Sequence, residues 1–463
     1  MRTTYVSHFG GTPMALLTRP TGGPVSSLAA PLRQPTRWVL NHALPNLMAT
    51  RAARRGDLQG RLMVGSVGMT PDEVGHVADE VRASGAVHKG FFSYMTASLP
   101  VVKEVLSSND FRTGIFDPGE GRIADLSRWA QDPEHRFGPL EPPSLLATEP
   151  PDHTRYRKLV TRVFTARAVE ALRERTQAIA DELVDSLDTT GPVDLVDAYC
   201  SQLPVTVIAE ILGVPAGDRD RVLGFGAAAA PSLDTGLGWS SFRRVEAGLH
   251  DFDHYLEDHL EQLRRDPGDD LMSRLVAAED DGVGLDMREL KATAGLVLAA
   301  GFETTVNLLG NAIALLRAHP DQLTVLRERP DLWANATDEA LRVDPPVLLT
   351  GRLAARDTEV AGVPVRQGTL VTTMLAGANR DPDVFEDADR FDVTRENARD
   401  HVSFSSGRHY CLGAALARME GEVGLRTLFD RYPDLELQPG ARRRTTRILR
   451  GYDRLPARLG APA

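Results

Sequence analysis

The sequence predicts a mainly α protein with small β-sheets. Helical spacing of apolar residues dominates residues 153–265. One long helix then opens on the capping pattern Asp286-Met287-Arg288-Glu289 and runs to the residue before Pro320. Only short β-like runs follow it, at 349–353, 360–365 and 369–374.

Taken in order, residues 1–60 read as a partly irregular N-terminal extension and residues 61–463 as the main domain. The extension begins with Pro13, Pro20, Pro24, Pro31 and Pro35 and ends in an amphipathic, arginine-rich piece at 38–62. Such a piece suits a lipid surface or a protein core; its apolar face is expected to cover the main domain. A helical pattern at 71–82, an alternating strand pair at 87–98 and helical spacing at 101–106 follow. Residues 114–151 are proline-rich and loop-like. A loop of that length in a compact domain is usually functional, and it is expected to form part of a substrate lid. Breaks at Pro204, Pro215 and 231–238 divide the helical stretch. At 1.5 Å per residue the long helix would measure about 45 to 50 Å, enough to cross the domain. From residue 435 onward strands and turns return.

The 463 residues are 42% hydrophobic and 25% charged, enough to enclose a cofactor. A net charge of −11 argues against nucleic acid as a partner. Two cysteines, Cys200 and Cys411, exclude a disulfide framework. The N-terminus has no apolar signal core, and no run reaches the roughly 18 apolar residues of a membrane span. A cytoplasmic protein without a transmembrane segment is expected.

The chemistry concentrates at Phe404-Ser405-Ser406-Gly407-Arg408-His409-Tyr410-Cys411-Leu412-Gly413. Gly407 and Gly413 permit a tight turn and close approach to a flat ligand, and a helix opening near Gly413 would aim amides at the sulfur. Both favour a thiolate. It would serve as a nucleophile, for which His409 is poorly placed, or as a single axial ligand on haem iron. A small buried hydrophobe is the plain alternative.

Inside the long helix, Ala300-Gly301-Phe302-Glu303-Thr304-Thr305 sets a glycine beside an acid and two hydroxyls. Interior glycine costs about 1 kcal/mol in a helix. A flat ligand pressed on Ala300 and Gly301 would explain it, as would a close helix crossing beside a solvated glutamate. Glu339-Ala340-Leu341-Arg342 sets opposite charges three residues apart.

The run 404–420 resembles the haem-binding loop of the cytochrome P-450 superfamily, FxxGxxxCxG, with Phe404, Gly407, Cys411 and Gly413 in register. Ser405 stands where bacterial members usually carry glycine. The resemblance runs in order from about residue 87 to the end. It implies the cytochrome P-450 fold, with haem b between the long central helix and the helix after the cysteine loop. Cys411 would be the metal ligand. Glu303 and Thr304 resemble the family's acid-alcohol pair for proton delivery. His153, Arg157, Arg352 and His409 coincide with positions that contact the haem propionates. Glu339 and Arg342 would meet an arginine of the later meander: Arg390, although Ala388 replaces the proline of PxRF, with Arg395 in reserve.

The implied activity is monooxygenation, hydroxylating or epoxidising a hydrophobic small molecule of secondary metabolism with O2 and two electrons. The length leaves no room for a flavin or iron–sulfur domain, so ferredoxin and ferredoxin reductase are the expected donors. Arg157, Arg162 and Arg408 are candidate docking charges for them. Expected pocket segments are 115–146, 227–239, 296–304, 347–349 and 448–449. A non-catalytic haem-thiolate sensor or carrier is the alternative; it would need an output region, and the extension is short for one.

Overall fold

The computed structural model describes residues 25–114, 121–131, 138–163, 166–280 and 282–462. The N-terminal extension supplies α1 (Val25–Trp38), a π-turn at Val39–Ala43, α2 (Leu44–Arg54) and α3 (Leu58–Gly65). Next come α4 (Pro71–Ala83), α5 (Leu99–Ser107) and α6 (Arg122–Ala130). The helical stretch resolves into α7 (Asp152–Val163), α8 (Ala166–Glu170), α9 (Arg173–Asp185), α10 (Gln202–Ile211), α11 (Arg219–Ala229), α12 (Trp239–Arg265) and α13 (Leu271–Val276). The long helix is α14 (Met287–Ala318), followed by α15 (Pro320–Glu328), α16 (Trp333–Val343), α17 (Leu375–Ala378) and α18 (Ala414–Arg431).

Local chemistry sets many of these ends. At α14 the Asp286 carboxylate accepts from the Glu289 amide at 2.8 Å, and Glu289 returns a bond from the Asp286 amide at 3.0 Å. Thr70 and Glu73 repeat that box at α4, and Asp57 and Asp270 cap α3 and α13. Pro204 breaks nothing: it lies in the first turn of α10, where a helix has no use for its missing N–H. The proline-rich stretch 114–151 also holds more order than expected, since α6 lies within it. Its other expected lid residues at 115–120 and 132–137 lie outside the described residues.

The main sheet has five strands in the order His88–Lys89, Tyr94–Thr96, Leu370–Thr373, Thr350–Ala354, Phe111–Arg112. Val371 stands opposite Arg352 in its central antiparallel pair. The core centres on α14, against which α10, α11, α12, α16 and α18 all pack. By length and composition α14 is apolar enough to cross a bilayer, contrary to the sequence expectation, yet it lies mostly buried among those helices.

Glu339 and Arg342 are fully buried on α16, joined by bonds of 2.7 and 2.8 Å. Their third member is Arg395, whose Nε donates to Glu339 at 3.1 Å. The first candidate, Arg390, turns its side chain outward and gives only its carbonyl, 2.8 Å from Arg342. The meander takes a left-handed turn at Asp387, where φ is 46°, and beyond it Arg395 points inward while Arg390 points outward.

Candidate haem site

Cys411 follows a 3-10 turn at Gly407–His409 and precedes α18. Its amide donates to the Phe404 carbonyl at 2.9 Å, closing the loop. Gly407 is indispensable there: its φ is +67°, and a Cβ would lie 2.5 Å from the Leu106 carbonyl oxygen. Gly413 has an ordinary φ of −85°, and a Cβ on it would enter open space. Ser405 holds a left-handed φ of 63°, the conformation that glycine would relieve.

Cys411 is exposed to solvent though closely surrounded by protein, whereas Cys200 is buried. Burial raises the Cys411 thiol, against the pull of the Gly413 amide, Arg157 and Arg418. Enclosure thus works against the helix end, and a bound cation would supply the charge that favours the thiolate.

On α14 the side chains otherwise pack densely, but Ala300 is exposed and Leu296, Val297, Gly301 and Thr304 are half-exposed. They share one stripe at helical spacing, a flat face free of protein. A Cβ on Gly301 would meet the Ile208 side chain at 3.2 Å. The glycine thus has a packing reason, the crossing of α10 on α14, and Ala300 carries the open face.

Of the four candidate cations, His409 bonds the Glu149 carboxylate, and His153 and Arg352 lie near enough to feel its charge. Glu149 accepts from Arg408 at 2.7 Å and from the Thr113 amide at 2.6 Å, with His409 Nε2 at 3.4 Å. Burial opposes its ionisation, but these three bonds hold its carboxyl well below the usual range. The rings of His153 and His409 are 4.4 Å apart, and the His153 Nε2 is buried without a partner. Burial, then His409 and Arg157, lower His153 to about 4. Arg352 is buried and lowered to about 10 by its burial, with Glu149 opposing. Arg157 donates to the Tyr410 carbonyl at 2.6 Å and lies close enough to Cys411 to feel its charge. This donor-rich pocket, with an orphaned imidazole nitrogen, suits carboxylates of a flat ligand lying between α14 and the cysteine loop.

Of the candidate docking charges, Arg157 and Arg408 are turned to these inner partners, and Arg162 donates to the Glu279 carbonyl at 3.0 Å. Phe404 is buried beneath Arg418, whose guanidinium carbon is 4.5 Å from its ring centre.

Glu303 and Thr304 are neighbours in sequence with separate partners. Glu303 is buried and ion-paired with Arg444, which lies beyond the strand Arg442–Arg443. Burial raises its carboxyl, with Arg444 opposing. The Thr304 hydroxyl donates to the Ala300 carbonyl at 3.0 Å. Among the described residues no hydrogen bond joins the two.

Sequence reasoning missed Glu149 and Glu420. Glu420 is fully buried on α18 beside Thr305, its carboxyl raised strongly by burial with Thr305 opposing. The available signal was an acid among Leu416, Met419 and Val423 on the buried side of one helix.

Three of the expected pocket segments, 227–239, 347–349 and 448–449, meet. The Leu348 amide donates to Ile448 at 2.9 Å, and Asp234 accepts from the amides of Arg447 and Ile448, each at 2.9 Å. The N-terminal arm clasps this group: Trp38 Nε1 donates to Leu237 at 2.8 Å, and the Trp38 and Trp239 rings meet edge-on at 5.6 Å.

The sequence profile of the cytochrome P450 family matches residues 235–450. Cytochrome P450 140 of Mycobacterium tuberculosis is 51% identical over 93% of this chain and 98% of its own. The 6-deoxyerythronolide B hydroxylase of Saccharopolyspora erythraea is 39% identical over 74% of this chain and 89% of its own. Among solved structures, the tirandamycin C-bound P450 monooxygenase TamI superposes with a TM-score of 0.72 at 34% identity, covering 83% of this chain and 97% of its own. The fold around α14, the open thiol and these likenesses lead to one conclusion: the chain belongs to the cytochrome P450 family, whose members bind haem b through a cysteine thiolate and are oxidoreductases that incorporate molecular oxygen.

Proposed function

We propose that the chain hydroxylates or epoxidises a hydrophobic small molecule of secondary metabolism, in the cytoplasm, with electrons from a ferredoxin and its reductase. The observation that carries this reading is an open cysteine just before α18, which packs on α14, together with an uncovered stripe of α14 and a cluster of cationic side chains beside the cysteine loop. Relatives named for 6-deoxyerythronolide B and tirandamycin C support the substrate class. So do the apolar residues Leu296, Val297, Leu348 and Leu449 on the expected pocket segments.

Haem b, when bound, supplies oxygen activation. Cys411 would hold its iron through the sulfur, beside Phe404, which lies buried under Arg418. Gly407 sets the loop's turn; Gly413, Ala300 and Gly301 leave the ligand's faces clear. His153, Arg157, Arg352 and His409 bind its two carboxylates, and Glu149 keeps His409 and Arg408 in place beforehand. Thr304, on the uncovered stripe, orients water through its hydroxyl. Glu303, buried next in sequence to Thr304, is the acid that relays protons to this water.

Polyketide, terpenoid, steroid and fatty-acid compounds should be screened for a substrate-induced spin shift. Compounds that shift the spectrum should gain one oxygen atom by mass spectrometry when ferredoxin, reductase and NADPH are added. Shifts confined to polar compounds, or turnover with peroxide alone, would overturn the proposal.

A further inference from the structure

The N-terminal arm was expected to turn its apolar face to the main domain; Leu58 and Leu62 of α3 do so, but α2 shows the reverse. On α2 the buried residues are Ala49 and Ala52, while Leu44, Leu47 and Met48 are 45–47% exposed. Small residues face the protein and large apolar ones face solvent. The inversion extends over a surface: α1, α2, α3, the π-turn and α6 hold eight of the fourteen exposed large apolar side chains among the described residues. Leu32 on α1 is 60% exposed and Ile123 on α6 is 68% exposed. The two helices pack on each other, with the Arg33 guanidinium 5.7 Å from the Trp129 ring centre. Isolated exposed leucines are ordinary, but a concentration of this kind marks an interaction surface.

Charge selects the partner. The protein carries −11 overall, yet residues 25–61 hold six arginines against one aspartate. Arg51, Arg54 and Arg55 are exposed on the last turns of α2, beyond Leu44, Leu47 and Met48 on the same helix. Apolar side chains beside arginines on a surface helix make an interfacial anchor: the former enter the acyl boundary, the latter meet anionic headgroups. We propose that α1, α2 and α6 dock the enzyme reversibly onto an anionic lipid surface. The rest of the chain is net acidic and repels such a surface, so docking fixes the orientation, arm toward the lipid. Because Trp38 grips Leu237 and Trp239, the docked face adjoins the proposed pocket segments.

The test is cosedimentation of the full-length haem-loaded protein with phosphatidylcholine vesicles, with and without phosphatidylglycerol. Binding should require phosphatidylglycerol and weaken as salt rises. Replacing Arg51, Arg54 and Arg55 together by glutamine should weaken it about 100-fold. The variant Leu44→Ser/Leu47→Ser/Met48→Ser, verified as folded by its circular dichroism and carbon monoxide spectrum, should not bind. Equal binding to both vesicle types, binding to neither, or unchanged binding by the serine variant would overturn the proposal. Sedimentation velocity covers the other occupant: a dimer that dissociates in the serine variant, without vesicle binding in the wild type, would assign the face to a second copy and overturn it equally.

Discussion

At the Cys411 loop the backbone leaves almost no freedom, and Gly407 shows it most directly. Alanine there combines left-handed strain of about 1–2 kcal/mol with a clash against a backbone carbonyl that cannot move aside. Gly407→Ala should therefore lose about 2–5 kcal/mol in urea unfolding and incorporate little haem; a variant of unchanged stability would refute the loop geometry. Thr304 makes the opposite kind of prediction. Its hydroxyl bonds only its own helix, so Thr304→Ala should leave haem content and substrate binding intact. Reducing equivalents should instead go to peroxide, measured as peroxide formed per NADPH consumed. Unchanged coupling would remove Thr304 from the proton path.

At the scale of elements, the buried cluster on α16 separates two arginines five residues apart. Arg395→Gln removes a charge-assisted bond to fully buried Glu339 and should cost about 2 kcal/mol. Arg390→Gln should stay within about 0.5 kcal/mol, since that side chain is exposed. Equal effects in thermal unfolding would contradict the assignment. The arm's latch carries a pH dependence through His42. Burial, then Arg37 and Arg447, lower its pKa to about 4, and its Nδ1 accepts from the Leu237 amide at 3.4 Å. An undocked arm binds a proton near pH 6.5 and the docked arm near 4. The latch is therefore at full strength above 6.5 and loses strength as pH falls toward 4. Hydrogen exchange in residues 25–54 should accelerate, relative to the intrinsic rate, across that window, and His42→Asn should flatten the change.

Across the whole molecule, what the sequence revealed was chemistry that is local in the chain. The cysteine loop, the α14 capping box and the acid-alcohol pair each lie within a few residues, and the loop and the box form as the spacing predicts. What it hid depends on distant contacts. Nothing in sequence separates Arg395 from Arg390, because which one points inward depends on the path of the meander against α16. Gly301, on the uncovered stripe, also makes room for Ile208 of α10, a contact that no spacing announces. Glu149 and Glu420 are single carboxylates without a motif, and only burial beside cations or a hydroxyl distinguishes them. The arm misled for a related reason: amphipathic spacing says that two faces differ, and it does not say which one the protein covers.

All of these scales meet in the claim that Cys411 is the thiolate that holds the haem iron. The direct measurement is the absorption spectrum of the dithionite-reduced protein under carbon monoxide, for wild type and Cys411→His. The account predicts a strongly red-shifted Soret band for wild type, moving to the position of an imidazole-ligated adduct in the variant. A folded, haem-reconstituted wild type without that band, or a variant that keeps it, would contradict the account.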